Sequence, residues 1–98
     1  MDRSTVLSIL REHEPELKAA GIRRLLLFGS VARGEASSES DVDLMAEFDP
    51  AKQFSILDLV HLENRLADIL GVPVDLSSAG VMKERIRERV AREGLLAF

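Results

Sequence analysis

The sequence contains no cysteine, no apolar run long enough to span a membrane and no surplus of basic residues. The lack of cysteine excludes a disulfide framework, a thiolate metal site and a catalytic thiol. Charges around the short apolar patch between Met1 and Glu14 argue against a signal peptide, so we expect a cytoplasmic protein without a membrane partner. With 17 acidic and 13 basic residues the net charge is −4, which argues against direct binding of nucleic acid.

Helix and strand signals alternate along the chain and predict one domain, residues 1–98, of the α+β class. A chain of this length buries roughly 60–65% of the surface that its unfolded form exposes, which is enough for one modest core. We expect a small mixed β-sheet flanked by helices. The predicted strands are Ile22–Phe28, Val42–Phe48 and Val72–Leu76, and the predicted helices are Thr5–Ala20 with a restart near Pro15, a short turn of helix that ends at Gly34, Gln53–Leu70, and Gly80–Arg92.

A tight turn directly after the first predicted strand has the features of a phosphate-binding site. Gly29 lets the main chain approach a phosphate without a Cβ in the way, and Ser30 adds a hydroxyl donor. Backbone N–H groups at the start of a following helix can donate to the same oxygens. Arg33 lies about one helical turn further on, so its guanidinium could return to the same anion. These three residues are our predicted nucleotide-binding residues.

Three aspartates complete the predicted site. Asp41 and Asp43 follow Ser30 after a ten-residue spacer, and in an extended strand their side chains point to one face, roughly 6.5–7 Å apart at the backbone. Carboxylates placed this close repel each other, whereas hard cations such as Mg²⁺ neutralise them and bridge to nucleotide phosphates. Asp75 lies in a later strand-like run and would reach the same cluster if the strands are neighbours. The pattern predicts a site for a nucleoside triphosphate and two Mg²⁺ ions.

Each of these features also has a simpler structural interpretation. A Gly-Ser pair after a strand is most often only a turn, and Arg33 alone could be a solvated surface charge. An alternating pair of aspartates could protect an exposed strand edge. The ordered combination of apolar strand, turn, arginine and paired aspartates would need several independent coincidences under that interpretation, so it favours the functional one.

The Gly29-Ser30 turn, the ten-residue spacer, the pair Asp41 and Asp43, and Asp75 on a later strand resemble the minimal nucleotidyltransferase (MNT) domains of the DNA polymerase β superfamily. The resemblance covers nearly the whole chain. It implies a polymerase β-like nucleotidyltransferase fold and an enzyme that moves a nucleoside monophosphate onto a hydroxyl with release of pyrophosphate.

The same resemblance implies a role for each matched residue. Asp41 and Asp43 would ligate the two metals, and Asp75 would complete the metal site and help to deprotonate the attacking hydroxyl. The Gly29-Ser30 turn would hold the nucleotide phosphates, and Arg33 would support the triphosphate.

The resemblance also implies a partner, because stand-alone MNT proteins of this length are typically prokaryotic antitoxins of HEPN ribonuclease toxins. We therefore expect transfer of AMP from ATP to a tyrosine of a cognate HEPN toxin, within a hetero-oligomer. Two alternatives remain open: a non-catalytic binding module that neutralises its partner by covering it, and nucleotidyl transfer to a small molecule such as an antibiotic. Larger relatives build the acceptor pocket for a small molecule from an additional domain.

The predicted long helix Gln53–Leu70 carries more apolar residues than one buried stripe requires. We predict that Ile56, Leu59, Val60, Leu66 and Leu70 face the sheet and that Leu57, Leu62 and Ile69 extend the apolar arc. The excess indicates either a wide buried face or a docking surface for a partner or a second copy.

The other helices have narrower apolar stripes. In the first helix the predicted core positions are Val6, Leu7, Leu10 and Leu17. In the last helix Met82, Ile86 and Val90 recur at helical spacing and predict packing on the sheet, while interleaved basic and acidic residues form a mixed-charge face. A second interpretation brings Arg85 or Arg89 into contact with the nucleotide or the partner.

Overall fold

A computed structural model describes residues 1–35 and 41–98 of the chain. The loop Glu35–Ser40 consists of small and polar residues, from which the sequence predicts a lip over the nucleotide, and it lies outside the described residues except for Glu35. Within the described ranges, no helix is both long and apolar enough to cross a membrane.

The strands of the described residues form one mixed four-stranded sheet, which, together with the helices around it, confirms the predicted α+β class. They are β1 (Ile22–Phe28), β2 (Val42–Phe48), β3 (Val74–Ser78) and β4 (Leu95–Leu96), in the order β3-β2-β1-β4. β1 is antiparallel to β2 and β4, and β2 is parallel to β3. The end of β1 consequently lies beside the beginning of β2, at the same end of the sheet as the beginning of β3.

The helices are α1 (Arg3–Glu12), α2 (Glu14–Ala19), α3 (Gly29–Arg33), α4 (Ile56–Leu70) and α5 (Glu84–Glu93), with a 3₁₀ turn at Ala79–Val81. The predicted restart near Pro15 is confirmed, because this proline occupies the first turn of α2, where its missing N–H has no helical partner to lose. Ser55 and Asp58 form a capping box that begins α4, and Gly71 ends α4 in the left-handed conformation.

Several element bounds differ from the prediction for local physical reasons. β3 begins at Val74 rather than Val72, since Pro73 has no N–H for the ladder and contributes only its carbonyl, which accepts from the Val42 N–H at 3.0 Å. α5 begins at Glu84 rather than Gly80, because the 3₁₀ turn and two extended residues, Met82 and Lys83, precede it. β4 is an addition to the predicted sheet, and its two residues are too short a run to show a strand period.

The core lies between the sheet and helices α1, α2 and α4. Val6, Leu10 and Leu17 are completely buried, as predicted, and Leu7 packs against them at the edge of the core. A smaller cluster on the other face joins Met45 to Met82 and Val90, with Ile86 packed against it, which confirms the predicted packing of the last apolar stripe.

The apolar face of α4 differs from the prediction. Leu62, Leu66 and Leu70 are buried, whereas Ile56 is 81% exposed and Val60 is 44% exposed. The prediction that Ile56 and Val60 face the sheet is therefore wrong, and Leu62 belongs to the core rather than to the margin of the apolar arc. Apolar residues surround more than half of this helix, so their spacing alone could not orient it.

Candidate nucleotide-binding and catalytic site

The strand register brings two of the predicted aspartates together. Asp43 is the partner of Asp75 across the parallel β2–β3 pair and of Phe28 across the antiparallel β1–β2 pair. Neighbouring strands lie about 4.8 Å apart, and residues opposite each other point to the same face. The two carboxylates therefore share one face of the sheet, next to the turn that follows Phe28.

Gly29 allows that turn to pack against Asp43. Its φ of +76° lies in the left-handed region, and a Cβ added to it would overlap the Asp43 Oδ2 atom and lie 3.0 Å from the Asp43 Cγ atom. The Asp43 carboxylate thus occupies the space that any other residue at position 29 would fill. Ser30 follows in the first turn of α3, half-buried. The predicted phosphate turn and the predicted metal ligand are in direct proximity.

The electrostatics of Asp43 are those of a crowded acidic cluster. Burial raises the pKa of Asp43 above its ordinary value, the charges of Asp75 and Asp41 raise it further, and the Arg33 guanidinium lowers it. All four side chains therefore contribute to one local field, with three negative charges and one positive charge. Such a site favours the binding of additional positive charge.

Asp41 lies just before β2 and is exposed, and Asp75 is exposed as well. Among the described residues, no group of three or more acidic or histidine side chains is arranged to hold a metal ion by itself. Mg²⁺ usually binds through one or two carboxylates together with substrate phosphates and waters rather than in an all-protein cage. The adjacent pair Asp43 and Asp75, with Asp41 at the rim, fits Mg²⁺ that arrives with nucleotide phosphates.

Arg33 is held by two carboxylates. Its Nε donates to Glu35 Oε2 at 3.0 Å, and its Nη1 donates to Glu93 Oε2 at 3.2 Å. These hydrogen bonds raise the pKa of Arg33, so the guanidinium is always charged. The sequence placed Glu93 only on a mixed-charge helix face. No local pattern could have paired Glu93 with Arg33, because contacts between residues far apart in the chain depend on the tertiary fold.

A glycine turn beside paired aspartates, at one end of a small mixed sheet, places phosphate donors next to cation ligands, as enzymes of the nucleotidyltransferase class require. The chain belongs to the nucleotidyltransferase domain family, whose sequence model matches residues 4–96. This match confirms the resemblance to nucleotidyltransferase domains and the nucleotidyltransferase fold that the resemblance implies.

Two similar proteins share sequence with the chain, and a solved complex contains a chain of similar fold. It is 40% identical over 87 residues to the protein adenylyltransferase MntA of Thermococcus cleftensis, an alignment that covers 88% of this chain and 86% of the relative. A solved structure of a candidate minimal nucleotidyltransferase has a TM-score of 0.81 and 37% identity, covering 97% of this chain and 95% of the other. The fold is also similar to that of a chain in the complex of a tri-AMPylated HEPN toxin of Shewanella oneidensis with an MNT antitoxin. This match has a TM-score of 0.69 and 18% identity, and it covers 94% of this chain and 71% of the other.

Proposed function

We propose that the protein is a Mg²⁺-dependent protein adenylyltransferase that moves AMP from ATP to a tyrosine hydroxyl of a cognate HEPN ribonuclease toxin, and thereby acts as its antitoxin. The observation that carries this proposal is the contact between the Gly29 turn and Asp43, beside Asp75. The 40% identity to a protein adenylyltransferase supports AMP as the transferred group. The fold shared with an MNT antitoxin complex supports a toxin partner.

In the proposed adenylyl transfer, the aspartates act on the attacking hydroxyl, and the glycine turn and Arg33 act on the phosphates. The acceptor oxygen attacks the α-phosphorus of ATP, a new O–P bond forms, and the bond from the α-phosphorus to the bridging oxygen breaks so that pyrophosphate leaves. Asp75, exposed at the start of β3, accepts the proton of the attacking hydroxyl. Gly29 and Ser30 donate to the phosphates from the start of α3, and Arg33 stabilises the charge that develops on the leaving pyrophosphate.

Asp41, Asp43 and Asp75 would hold the Mg²⁺ ions. When bound, these ions would neutralise the phosphate oxygens and polarise the attacking and leaving oxygens. Burial first, and then repulsion by Asp75 and Asp41, raises the pKa of Asp43, and bound cations would relieve this repulsion.

The acceptor must come from the partner. Asp41, Asp75 and Arg33 are all exposed, so the isolated chain leaves its aspartates open to solvent. A protein partner that covers this surface would both deliver its hydroxyl and exclude water, which are the conditions that favour transfer over hydrolysis. We therefore propose a hetero-oligomer as the active state.

Isotopic labelling tests the proposed transfer. The chain is incubated with the protein encoded beside it, Mg²⁺, and ATP that carries the label on either the α- or the γ-phosphate. We expect label on the partner only from α-labelled ATP, no transfer by Asp43→Asn, and unchanged transfer by Asp68→Asn, which removes an exposed carboxylate from α4. Label from the γ-phosphate, or full transfer by Asp43→Asn, would contradict the proposal. A partner that is inhibited but carries no label would favour the non-catalytic binding module.

A further inference from the structure

The ion pair between Arg33 and Glu93 joins two helices that are distant in the sequence. Arg33 ends α3 beside the nucleotide turn, and Glu93 ends α5. The Arg33 Nη1 atom lies 3.2 Å from Glu93 Oε2, and both side chains are about one-third exposed, at 36% and 35%. The pair is therefore accessible to solvent at the rim of the candidate site, one helical turn from the Gly29-Ser30 turn.

The backbone on both sides of this pair is firmly supported. Arg3 Nη1 donates to the carbonyl of Ala32 at 3.1 Å, which fixes the last turn of α3. After Glu93, Gly94 packs so closely that a Cβ would overlap the carbonyl oxygen of Val90 and lie 3.3 Å from Leu26 Cδ2. Because Gly94 has no Cβ, the backbone can pass from α5 directly into β4 at the edge of the sheet.

The segment after Gly94 is anchored from two directions. Leu95 and Leu96 pair with β1, and Arg11 donates to the carbonyls of Leu96 and Ala97 at 3.0 and 2.9 Å. Glu93 is thus the last residue of α5, and the segment that follows it is anchored to the sheet. The backbone position of Glu93 is therefore fixed, so its carboxylate can hold the long side chain of Arg33 in one place.

Arg33 has two competing sets of carboxylates within its range. One is the pair Glu35 and Glu93 at the rim, to which it is bonded. The other is the acidic cluster around Asp43, which packs against Gly29, one helical turn before Arg33 in α3. An arginine that moved onto that cluster would neutralise the carboxylates that a cation should bind, and its donors would no longer be available to phosphate oxygens.

We propose that Glu93 is a positioning residue that holds the Arg33 guanidinium at the rim of the site, ready for the triphosphate and away from Asp43 and Asp75. This inference rests on the proposed function, since it assumes that a nucleoside triphosphate binds at the aspartates. Glu93 acts through Arg33 and does not itself touch the nucleotide.

Removal of Glu93 should change the affinity for nucleotide in the direction opposite to the one that simple charge repulsion would give. Removing a negative charge near an anionic ligand should strengthen the binding of that ligand. Removing Glu93 should instead weaken nucleotide binding, because Arg33 is released onto the acidic cluster. Because exposed ion pairs are weak, we expect a modest, roughly three- to fivefold loss of affinity.

Calorimetric titration of the full chain with α,β-methylene ATP and Mg²⁺ measures this effect, since the α–β linkage of that analogue resists cleavage. Glu93→Ala is compared with Glu88→Ala, which removes the same charge from the exposed surface of the same helix. Both substitutions are repeated in an Arg33→Ala background. Glu93→Gln replaces Glu93→Ala if the alanine variant has a lower thermal midpoint. The glutamine keeps the size of the side chain, and this variant should also bind the analogue more weakly.

The expected result is weaker binding by Glu93→Ala, equal or tighter binding by Glu88→Ala, and no further loss when Glu93→Ala is added to Arg33→Ala. Binding by Glu93→Ala as tight as that of the unmodified chain, or an undiminished loss in the Arg33→Ala background, would overturn the positioning role alone. An unmodified chain that binds no analogue would overturn the proposed function as well.

Discussion

Gly29 and Asp43 meet at the centre of the candidate site, and each restricts what the other position can contain. The turn needs a residue that adopts a φ of +76° and leaves room for the Asp43 carboxylate. Glycine satisfies both requirements, because it lacks the Cβ that makes positive φ unfavourable for other residues. The sequence predicted this glycine as a phosphate turn, but its contact with Asp43 depends on the β1–β2 register and could not be read from spacing.

Substitution of Gly29 by alanine should cost more stability than the same substitution at Gly71. Both glycines have positive φ, but within the described part of the chain no atom beyond the adjacent residues lies within 4 Å of a Cβ added to Gly71, so Gly71→Ala reports the backbone cost alone. We expect about 1–2 kcal/mol for Gly71→Ala and a larger loss for Gly29→Ala, which must also displace Asp43. Urea denaturation of the two variants measures the difference. Equal losses would show that Asp43 does not fill the space beside Gly29.

Asp43 should lower the stability of the metal-free protein at neutral pH. Its pKa in the folded chain is raised above the ordinary value of 3.8, by burial first and then by the charges of Asp75 and Asp41. A raised folded-state pKa means that this carboxyl favours folding while it is protonated and that the advantage is lost as the pH rises through the folded-state pKa. At pH 7 the ionised carboxylate therefore opposes folding.

Asp43→Asn should accordingly raise the free energy of unfolding at pH 7 in a buffer that contains a chelator. The gain should shrink as the pH falls and disappear below the ordinary value of 3.8, where the aspartate is protonated in both states. Urea denaturation across this pH range provides the measurement. A variant that is less stable than the unmodified chain at pH 7 would show that Asp43 is not under repulsive strain.

At the scale of elements, the parts with strong local signals were predicted at their observed bounds. β1 and β2 match because each is a seven-residue segment with five apolar side chains and a clear end, at Gly29 and at Asp49-Pro50. The orientation of α4 was predicted incorrectly, since Ile56 and Val60 are exposed and Leu62 is buried. The face that α4 buries is decided by its contacts with the sheet and with α1, and the sequence of α4 alone carries no information on these contacts.

The pairing of elements was harder to predict than their existence. Asp75 could be placed beside Asp43 only on the condition that their strands are neighbours, and the parallel β2–β3 register meets that condition. The ion pair of Arg33 with Glu93 depends on how α5 returns to the sheet through β4. Exposed Ile56, Leu57 and Val60 on α4 leave the predicted docking surface open as a hypothesis.

At the scale of the whole molecule, the domain presents its acidic site at one end of the sheet, with Asp41, Asp75 and Arg33 all exposed to solvent. An open site positions an acceptor poorly by itself, because effective transfer requires the reacting atoms to be held within about 3–3.5 Å of each other. The partner protein is therefore expected to supply both the acceptor hydroxyl and the cover of the site.

The most direct test of adenylyl transfer is the intact mass of the partner protein. The chain is copurified with the protein encoded beside it, and the partner is weighed by mass spectrometry after incubation with ATP and Mg²⁺. We predict that its mass rises in steps of one AMP with the unmodified chain and stays constant with Asp41→Ala. An unchanged mass in a tight, inhibited complex, or an equal gain with Asp41→Ala, would contradict catalysis by the aspartate site.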